Sequence, residues 1–298
     1  VPLPRIFRRG GSRPGHRYLA GAPLLIAHRG GSKLAPENTL AAHRRAVDWW
    51  RADLLEIDVQ PSRDGDAIVI HDPTVDRTTD GTGEVSSFTV DEIRRLDAGF
   101  RFTPDGGQTF PFRGTGVRLS TLREVLEALP HARVNVEIKD TRAQQAVWDT
   151  VHELHAVHRV LIAAGDRKNR SRFRDYGGPQ SAGAQDMYAF YALHLAHAPA
   201  LWTPTVDAFQ MPEKHNGKQV LTPRMLAELH ARNVAVHVWT IDEVADMRRL
   251  LEWGVDGIVT DRPDRLARLL HEMRGRPLPP GPPPGEAEAW MERLLRAG

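Results

Sequence analysis

Two histidines, three carboxylates and two cations stand where short apolar runs of this chain end. His28 and Arg29 follow Leu24-Leu25-Ile26-Ala27, and Glu56 and Asp58 interrupt Leu54-Leu55-Glu56-Ile57-Asp58-Val59. His71 closes Ala67-Ile68-Val69-Ile70, and Glu137 and Lys139 close Val134-Asn135-Val136. Buried singly, each of these groups would cost on the order of several kcal/mol without a partner. Gathered in one place, they can satisfy one another around an ion and a phosphate.

Glu56 and Asp58 are two apart, so on a strand both point to the same side, roughly 6.6 Å apart along it. Side chains of unequal length can then converge on one cation, and Glu137 adds a third carboxylate from a different strand. Three hard oxygen donors suit Mg²⁺ or Ca²⁺, with Mn²⁺ also allowed, better than zinc. Histidine holds either protonation state near neutrality, which makes His28 and His71 the candidate acid–base pair. Such a group contributes about 10²–10⁴-fold by taking a proton from a nucleophile or giving one to a leaving alkoxide. Arg29 and Lys139 are placed to neutralise phosphate charge, Arg29 through a forked pair of hydrogen bonds. A salt bridge to one of the acids is the competing role for both cations, and the two roles are compatible. In Pro36-Glu37-Asn38-Thr39, Glu37 is placed to orient Arg29 from outside the ligand set. Asn38 or Thr39 is placed to cap the next helix.

Something must bring these segments together. Strand-like runs lie at residues 24–28, 54–60, 67–72, 134–139, 159–164, 206–211, 234–241 and 257–260. Amphipathic helical patterns occupy 39–50, 121–129, 143–157, 223–232, 243–253 and 265–273. Alternating strands and helices predict a parallel sheet, and eight repeats predict closure into an α/β (β/α)₈ TIM barrel, with a doubly wound open sheet as runner-up. A barrel gathers the C-terminal ends of its strands at one catalytic face. Three divisions follow: a basic N-terminal arm over 1–22, the barrel over 23–275, and a Pro-rich linker with a short helix over 276–298. Residues 73–120, rich in turn signals such as Asp80-Gly81-Thr82-Gly83, read as an insertion after the third strand over the barrel's mouth. His152, His155 and His158 recur every third residue of a predicted helix, a spacing that fans them over about 120°. They therefore read as an exposed helical face rather than ligands, as do His194 and His197. Gln210 and Glu213 are further candidates for the pocket lining.

The 298 residues are 41% hydrophobic and 26% charged with a net charge of only +2, a composition that fits a globular protein and gives no reason to expect nucleic acid as a partner. With no cysteine, disulfides and thiolate chemistry are excluded. No apolar run approaches the roughly 18–20 residues that span a bilayer. Peripheral membrane contact through the N-terminal arginines is an open alternative to a solvated arm. The start lacks a signal-type apolar core and points to the cytoplasm, with an extracytoplasmic site left open by processing. Oligomeric state is left open.

The ordered motifs resemble one family. His28-Arg29-Gly30-Gly31, Ala35-Pro36-Glu37-Asn38-Thr39, Glu56-Ile57-Asp58-Val59, His71-Asp72-Pro73 and Glu137-Ile138-Lys139 are similar to the glycerophosphodiester phosphodiesterase family. So are Val238-Trp239-Thr240-Ile241-Asp242 and the closing run from Gly254 to Pro263. The resemblance implies a barrel, a divalent cation on Glu56, Asp58 and Glu137, His28 and His71 as acid and base, and Arg29 and Lys139 on phosphate. It also implies that Trp239 walls the alcohol end of the substrate, with core packing as the alternative. Asp242 reads as a helix cap. The expected partner is a small-molecule glycerophosphodiester, cleaved to sn-glycerol 3-phosphate and an alcohol. A lysophospholipase D or sphingomyelinase D-like enzyme is the nearer alternative, with residues 73–120 and Phe190, Tyr191 and Leu193 lining a lipid channel. A non-catalytic phosphate- or lipid-binding barrel is the remote one.

Overall fold

The structure, a computed structural model, describes residues 15–284. Its parallel strands are β1 (Leu24–His28), β2 (Leu54–Pro61), β4 (Arg133–Ile138), β5 (Val160–Ala163), β6 (Ala208–Pro212), β9 (Ala235–Trp239) and β10 (Gly257–Thr260). They pair in the order β5-β4-β2-β1-β10-β9-β6. The two ends of this sheet meet through a two-residue stave. Ile162 bridges to Gln180 and Ser181 to Ala208, both in parallel sense. Seven strands and that stave close an eight-membered ring, which excludes the open doubly wound sheet.

The predicted third stave is a correction. β3 (Ala67–Val69) runs antiparallel to β2, with Val59 opposite Val69 and Pro61 opposite Ala67. The chain reverses at Ser62–Asp66, where Gly65 takes a φ of +91°. This hairpin still brings His71 to the barrel's mouth, because the Ile70 N–H donates to the Asp58 carbonyl at 3.0 Å.

Helices α1 (Leu40–Asp48), α3 (Leu122–Ala128), α4 (Gln144–Glu153), α5 (Ala184–Leu195), α6 (Pro223–His230), α7 (Val244–Trp253) and α8 (Pro263–Arg274) accompany the barrel strands, and a short α2 (Val90–Ile93) lies after β3. Hydroxyl caps explain several starts: Thr39 for α1, Thr121 for α3 with Glu124 completing a capping box, and Thr222 for α6. Alternation along each strand divides the apolar side chains. Ile57, Val59, Val134 and Val136 face the helices, whereas Leu24, Ile26, Leu54, Leu161 and Val259 fill the barrel's lower interior above buried Tyr18. Residues 73–120 build a smaller core of their own around Val75, Val85, Val90, Ile93 and Leu119, joined by Ile68 and Ile70. A two-residue hairpin, β7 (Lys214–His215) and β8 (Lys218–Gln219), stands beyond β6.

Both ends of the described chain are tied to the barrel. Arg133 donates to the Tyr18 and Ala20 carbonyls, holding residues 17–20 beneath the barrel, while residues 1–14 lie outside the described residues. Arg276 pairs with Asp53 at 2.6 Å, and the Gly281 N–H donates to the Trp49 carbonyl. The helix predicted after the prolines lies outside the described residues. Two histidine readings also change. His155 has a φ of +50° past the end of α4 and His158 lies in a separate turn, so the three do not share a helix. His194 is buried, with Nδ1 2.6 Å from Glu228, rather than exposed.

Candidate active site

At the end of β1 the chain turns sharply outward. Arg29, Gly30 and Gly31 take φ values of 52°, 84° and 94°, a left-handed run that suits glycine and strains arginine. A Cβ on Gly30 would stand 2.7 Å from the Ala42 Cβ and 2.9 Å from the Ala42 backbone carbon, so α1 packs against a bare backbone there. This turn aims the Arg29 N–H at Glu56 Oε2, 3.1 Å away.

Register then assembles the acids. His28 lies opposite Glu56, and Asp58 opposite Glu137. Ligand atoms of Glu56, Asp58 and Glu137 all lie within 4.8 Å of one another, so the three can hold an ion. The donor set is hard oxygen from two neighbouring strands, as a divalent cation of the Mg²⁺ or Ca²⁺ type requires. Burial, followed by the charges of Asp58 and Glu137, raises the Glu56 carboxyl well above its ordinary range. Burial also opposes ionisation of Asp58, but Lys139 and Arg29 outweigh it and hold the carboxyl low.

Both predicted phosphate cations sit on these acids. Lys139 Nζ is 2.9 Å from Asp58 Oδ1 and 2.9 Å from Glu137 Oε2. Arg29 donates from Nη1 to Glu37 Oε1 at 2.9 Å, while its Nε lies 3.2 Å from Asp58 Oδ2, outside hydrogen-bond alignment. Glu37 stands behind Arg29 and also receives two bonds from Arg77 at 2.7 and 2.8 Å. Asn38 is not the helix cap. Its Nδ2 donates to Asp58 Oδ2 at 3.0 Å, and Thr39 takes the capping role.

Each histidine rests on an aspartate. His28 Nδ1 is 2.6 Å from Asp261 Oδ1, which also accepts from Ser32 Oγ at 2.6 Å. His71 Nδ1 is 2.7 Å from Asp72 Oδ1, and Asp72 Oδ2 accepts from Arg77 Nε at 2.6 Å. With Nδ1 bound in this way, Nε2 is the free position of both rings. Burial pulls the His28 pKa down, but the bond to Asp261 and the charge of Glu56 prevail, leaving it raised. Asp72 is held down at about 2, burial being outweighed by Arg77 and His71.

Sequence spacing does not mark Asp261 as a site residue, because 233 positions separate it from His28 and only the β1–β10 pairing joins them. Asp242 is likewise not a helix cap. Its Oδ1 accepts from Thr260 Oγ1 and the Asp261 N–H, both at 2.9 Å, and so fixes the loop that carries Asp261.

A cavity of about 400 Å³ opens above this constellation. The histidines, the three acids, Arg29, Lys139 and Trp239 all line it, with Trp239 43% exposed rather than packed in the core. Gln210 lines it too. Glu213 does not, because it turns away to a forked pair with Arg249 at 2.7 and 2.9 Å. Nor do Phe190, Tyr191 and Leu193 form a channel: Phe190 is core, the other two pack against the core, and Met187 is the α5 side chain that reaches the cavity.

Residues 28–265 match the model of the glycerophosphoryl diester phosphodiesterase family. The chain belongs to that family. A glycerophosphodiester phosphodiesterase of Caldanaerobacter subterraneus subsp. tengcongensis is 36% identical over 84% of this chain and 98% of its own length. A probable glycerophosphodiester phosphodiesterase 2 of Mycobacterium tuberculosis is 31% identical over 84% of this chain and 91% of its own. The crystal structure of an Agrobacterium tumefaciens glycerophosphodiester phosphodiesterase superposes with a TM-score of 0.65 at 28% identity, covering 82% of this chain and 99% of that one. This glycerophosphodiester phosphodiesterase family is one of phosphodiester hydrolases, and the chain is accordingly an enzyme of that class. Among the described residues no helix is long and apolar enough to cross a membrane.

Proposed function

We propose that this family member hydrolyses glycerophosphodiesters to sn-glycerol 3-phosphate and an alcohol, with one divalent cation, Mg²⁺ or Ca²⁺, and two-histidine acid–base catalysis. The observation that carries the reading is the pair of aspartate-bound histidines on the wall of the cavity that also holds three clustered carboxylates. Glu56, Asp58 and Glu137 would hold the cation, which supplies Lewis acidity toward a phosphoryl oxygen.

The side chains divide the remaining work. Arg29 and Lys139 lie against the acids and can turn from them to the oxygens of the monoanionic phosphodiester when it enters. Glu37 holds the Arg29 guanidinium from behind during that exchange. Nε2 of one histidine takes the proton of the nucleophile, and Nε2 of the other protonates the leaving oxygen. Asp261 and Asp72 keep each Nδ1 occupied, so that proton traffic passes through Nε2. Trp239 walls the alcohol end. The nucleophile is water or the glycerol 2-hydroxyl, and the second route passes through a cyclic phosphate.

A substrate panel with product analysis, run with chelator and with added Mg²⁺ or Ca²⁺, tests the proposal. It should show release of sn-glycerol 3-phosphate from glycerophosphocholine in preference to cleavage of a lysophospholipid. Preference for the lysolipid would move the assignment to a lysophospholipase D-like enzyme, and turnover of neither would contradict it.

A further inference from the structure

Below the carboxylates, three uncharged polar side chains cross the barrel. Asn135 on β4 is the register partner of Glu56, and Asn135 and Gln210 both line the cavity. Asn135 Nδ2 donates to Gln210 Oε1 at 3.2 Å, and Gln210 Nε2 lies 3.4 Å from His237 Nδ1. His237 is fully buried, and burial depresses its pKa to about 4, so the ring is neutral and its Nε2–H tautomer accepts through Nδ1. Gln210 turns its nitrogen to that ring and its oxygen to Asn135, which donates from Nδ2.

That polarity leaves Asn135 Oδ1 as an acceptor. Among the described residues it has no hydrogen-bond partner, although Asn135 is only 4% exposed and its side chain borders the cavity. A buried acceptor of this kind is costly unless something donates to it. It repels phosphate oxygens and receives a hydroxyl, whereas Arg29 and Lys139 against the acids attract phosphate. In a glycerol ester the 2-hydroxyl is on the carbon next to the esterified one and stays near phosphorus. The terminal hydroxyl is one carbon farther and can extend into the barrel.

We propose that Asn135, held by Gln210, is the subsite for the terminal hydroxyl of the substrate's glycerol, with Oδ1 accepting its hydrogen. This selects polyol esters over esters that lack the hydroxyl, and it rests on the glycerophosphodiester reading above.

The test compares kcat/KM for sn-glycero-3-phosphocholine and for the analogue lacking only the terminal hydroxyl, the phosphocholine ester of propane-1,2-diol, which keeps the 2-hydroxyl. The intact enzyme is expected to favour the glycerol ester by about tenfold or more, because the analogue leaves a buried acceptor unpaired. Asn135→Leu, close in shape but without the acceptor, and independently Gln210→Met, should each bring the preference below about threefold. Equal turnover of the two esters by the intact enzyme would overturn the subsite while leaving the substrate class standing, and needs no variant to fold. Undiminished preference in both variants would also overturn it. Cleavage of neither ester would overturn the substrate assignment and the subsite with it.

Discussion

Replacing Asp261 by Asn probes the support beneath His28. The carboxylate is 2.6 Å from His28 Nδ1 and only lightly exposed, so it acts in a low-dielectric setting with little solvent screening. Ser32 and His28 share Oδ1, so an amide that keeps its oxygen there weakens the hold on an Nδ1 hydrogen, and one that turns its N–H there favours the opposite tautomer. Hydrogen bonds to charged groups contribute about 1.5–3 kcal/mol, a factor of roughly 10–150 in rate if the loss is felt in the transition state. If His28 is the base, a tautomer switch would add to that, because Nε2 would then carry a hydrogen instead of accepting one. Steady-state kinetics on glycerophosphocholine should show kcat falling by about 10²-fold, with KM changed by less than about threefold. A thermal melt should remain close to that of the intact enzyme. A kcat within about threefold of the intact enzyme would refute the orienting role, as would a loss confined to KM.

Three further outcomes follow from the same geometry. His43 and His237 are fully buried, and burial lowers both pKa values from 6.5 to about 4. The unfolded chain therefore binds these protons first: stability is intact above pH 6.5 and should decline as pH falls toward 4, by up to ~3 kcal/mol per histidine. Urea titrations across that range should show the loss, and a flat profile would contradict it. Gly30→Ala should destabilise the fold by roughly 2–4 kcal/mol, because φ is +84° and the new Cβ meets the α1 backbone; an unchanged urea midpoint would be evidence against that packing. His71→Ala should lower kcat by about 10²–10⁴-fold while leaving divalent-cation binding measurable by calorimetry, and full activity would remove His71 from the reaction.

The parts of the site that were legible in the sequence share a physical origin. His28, Glu56, Asp58, Glu137 and Lys139 interrupt or end apolar runs on strands whose neighbours in the sheet are β1, β2 and β4. Polar groups in such runs are too costly to bury without a purpose, so their positions alone exposed them. Periodicity records which face of a segment is buried, not which strand it pairs with. Ile68-Val69-Ile70 therefore looked like a barrel stave, although it forms the return arm of a hairpin. The stave at Gln180–Ser181 is two residues long and has no period to read. Helix α5 carries no clear period for a related reason: Ala189, Ala192 and Leu195 are apolar on its exposed side, which erases the contrast between its faces. Asp261 and Asn135 were hidden differently. Their partners lie on other strands, and only closure of the ring brings an aspartate after β10 to the histidine ending β1, or an amide on β4 to one on β6.

Metal-dependent cleavage of a glycerophosphodiester at Glu56, Asp58 and Glu137 is tested most directly by phosphorus NMR of glycerophosphocholine incubated with the enzyme. The signal of sn-glycerol 3-phosphate should grow, stop when the divalent cation is chelated, and resume when Mg²⁺ or Ca²⁺ is restored, with Glu56→Gln failing to resume. Hydrolysis that continues undiminished through chelation, or in Glu56→Gln, would contradict the assignment of Glu56, Asp58 and Glu137 to the cation.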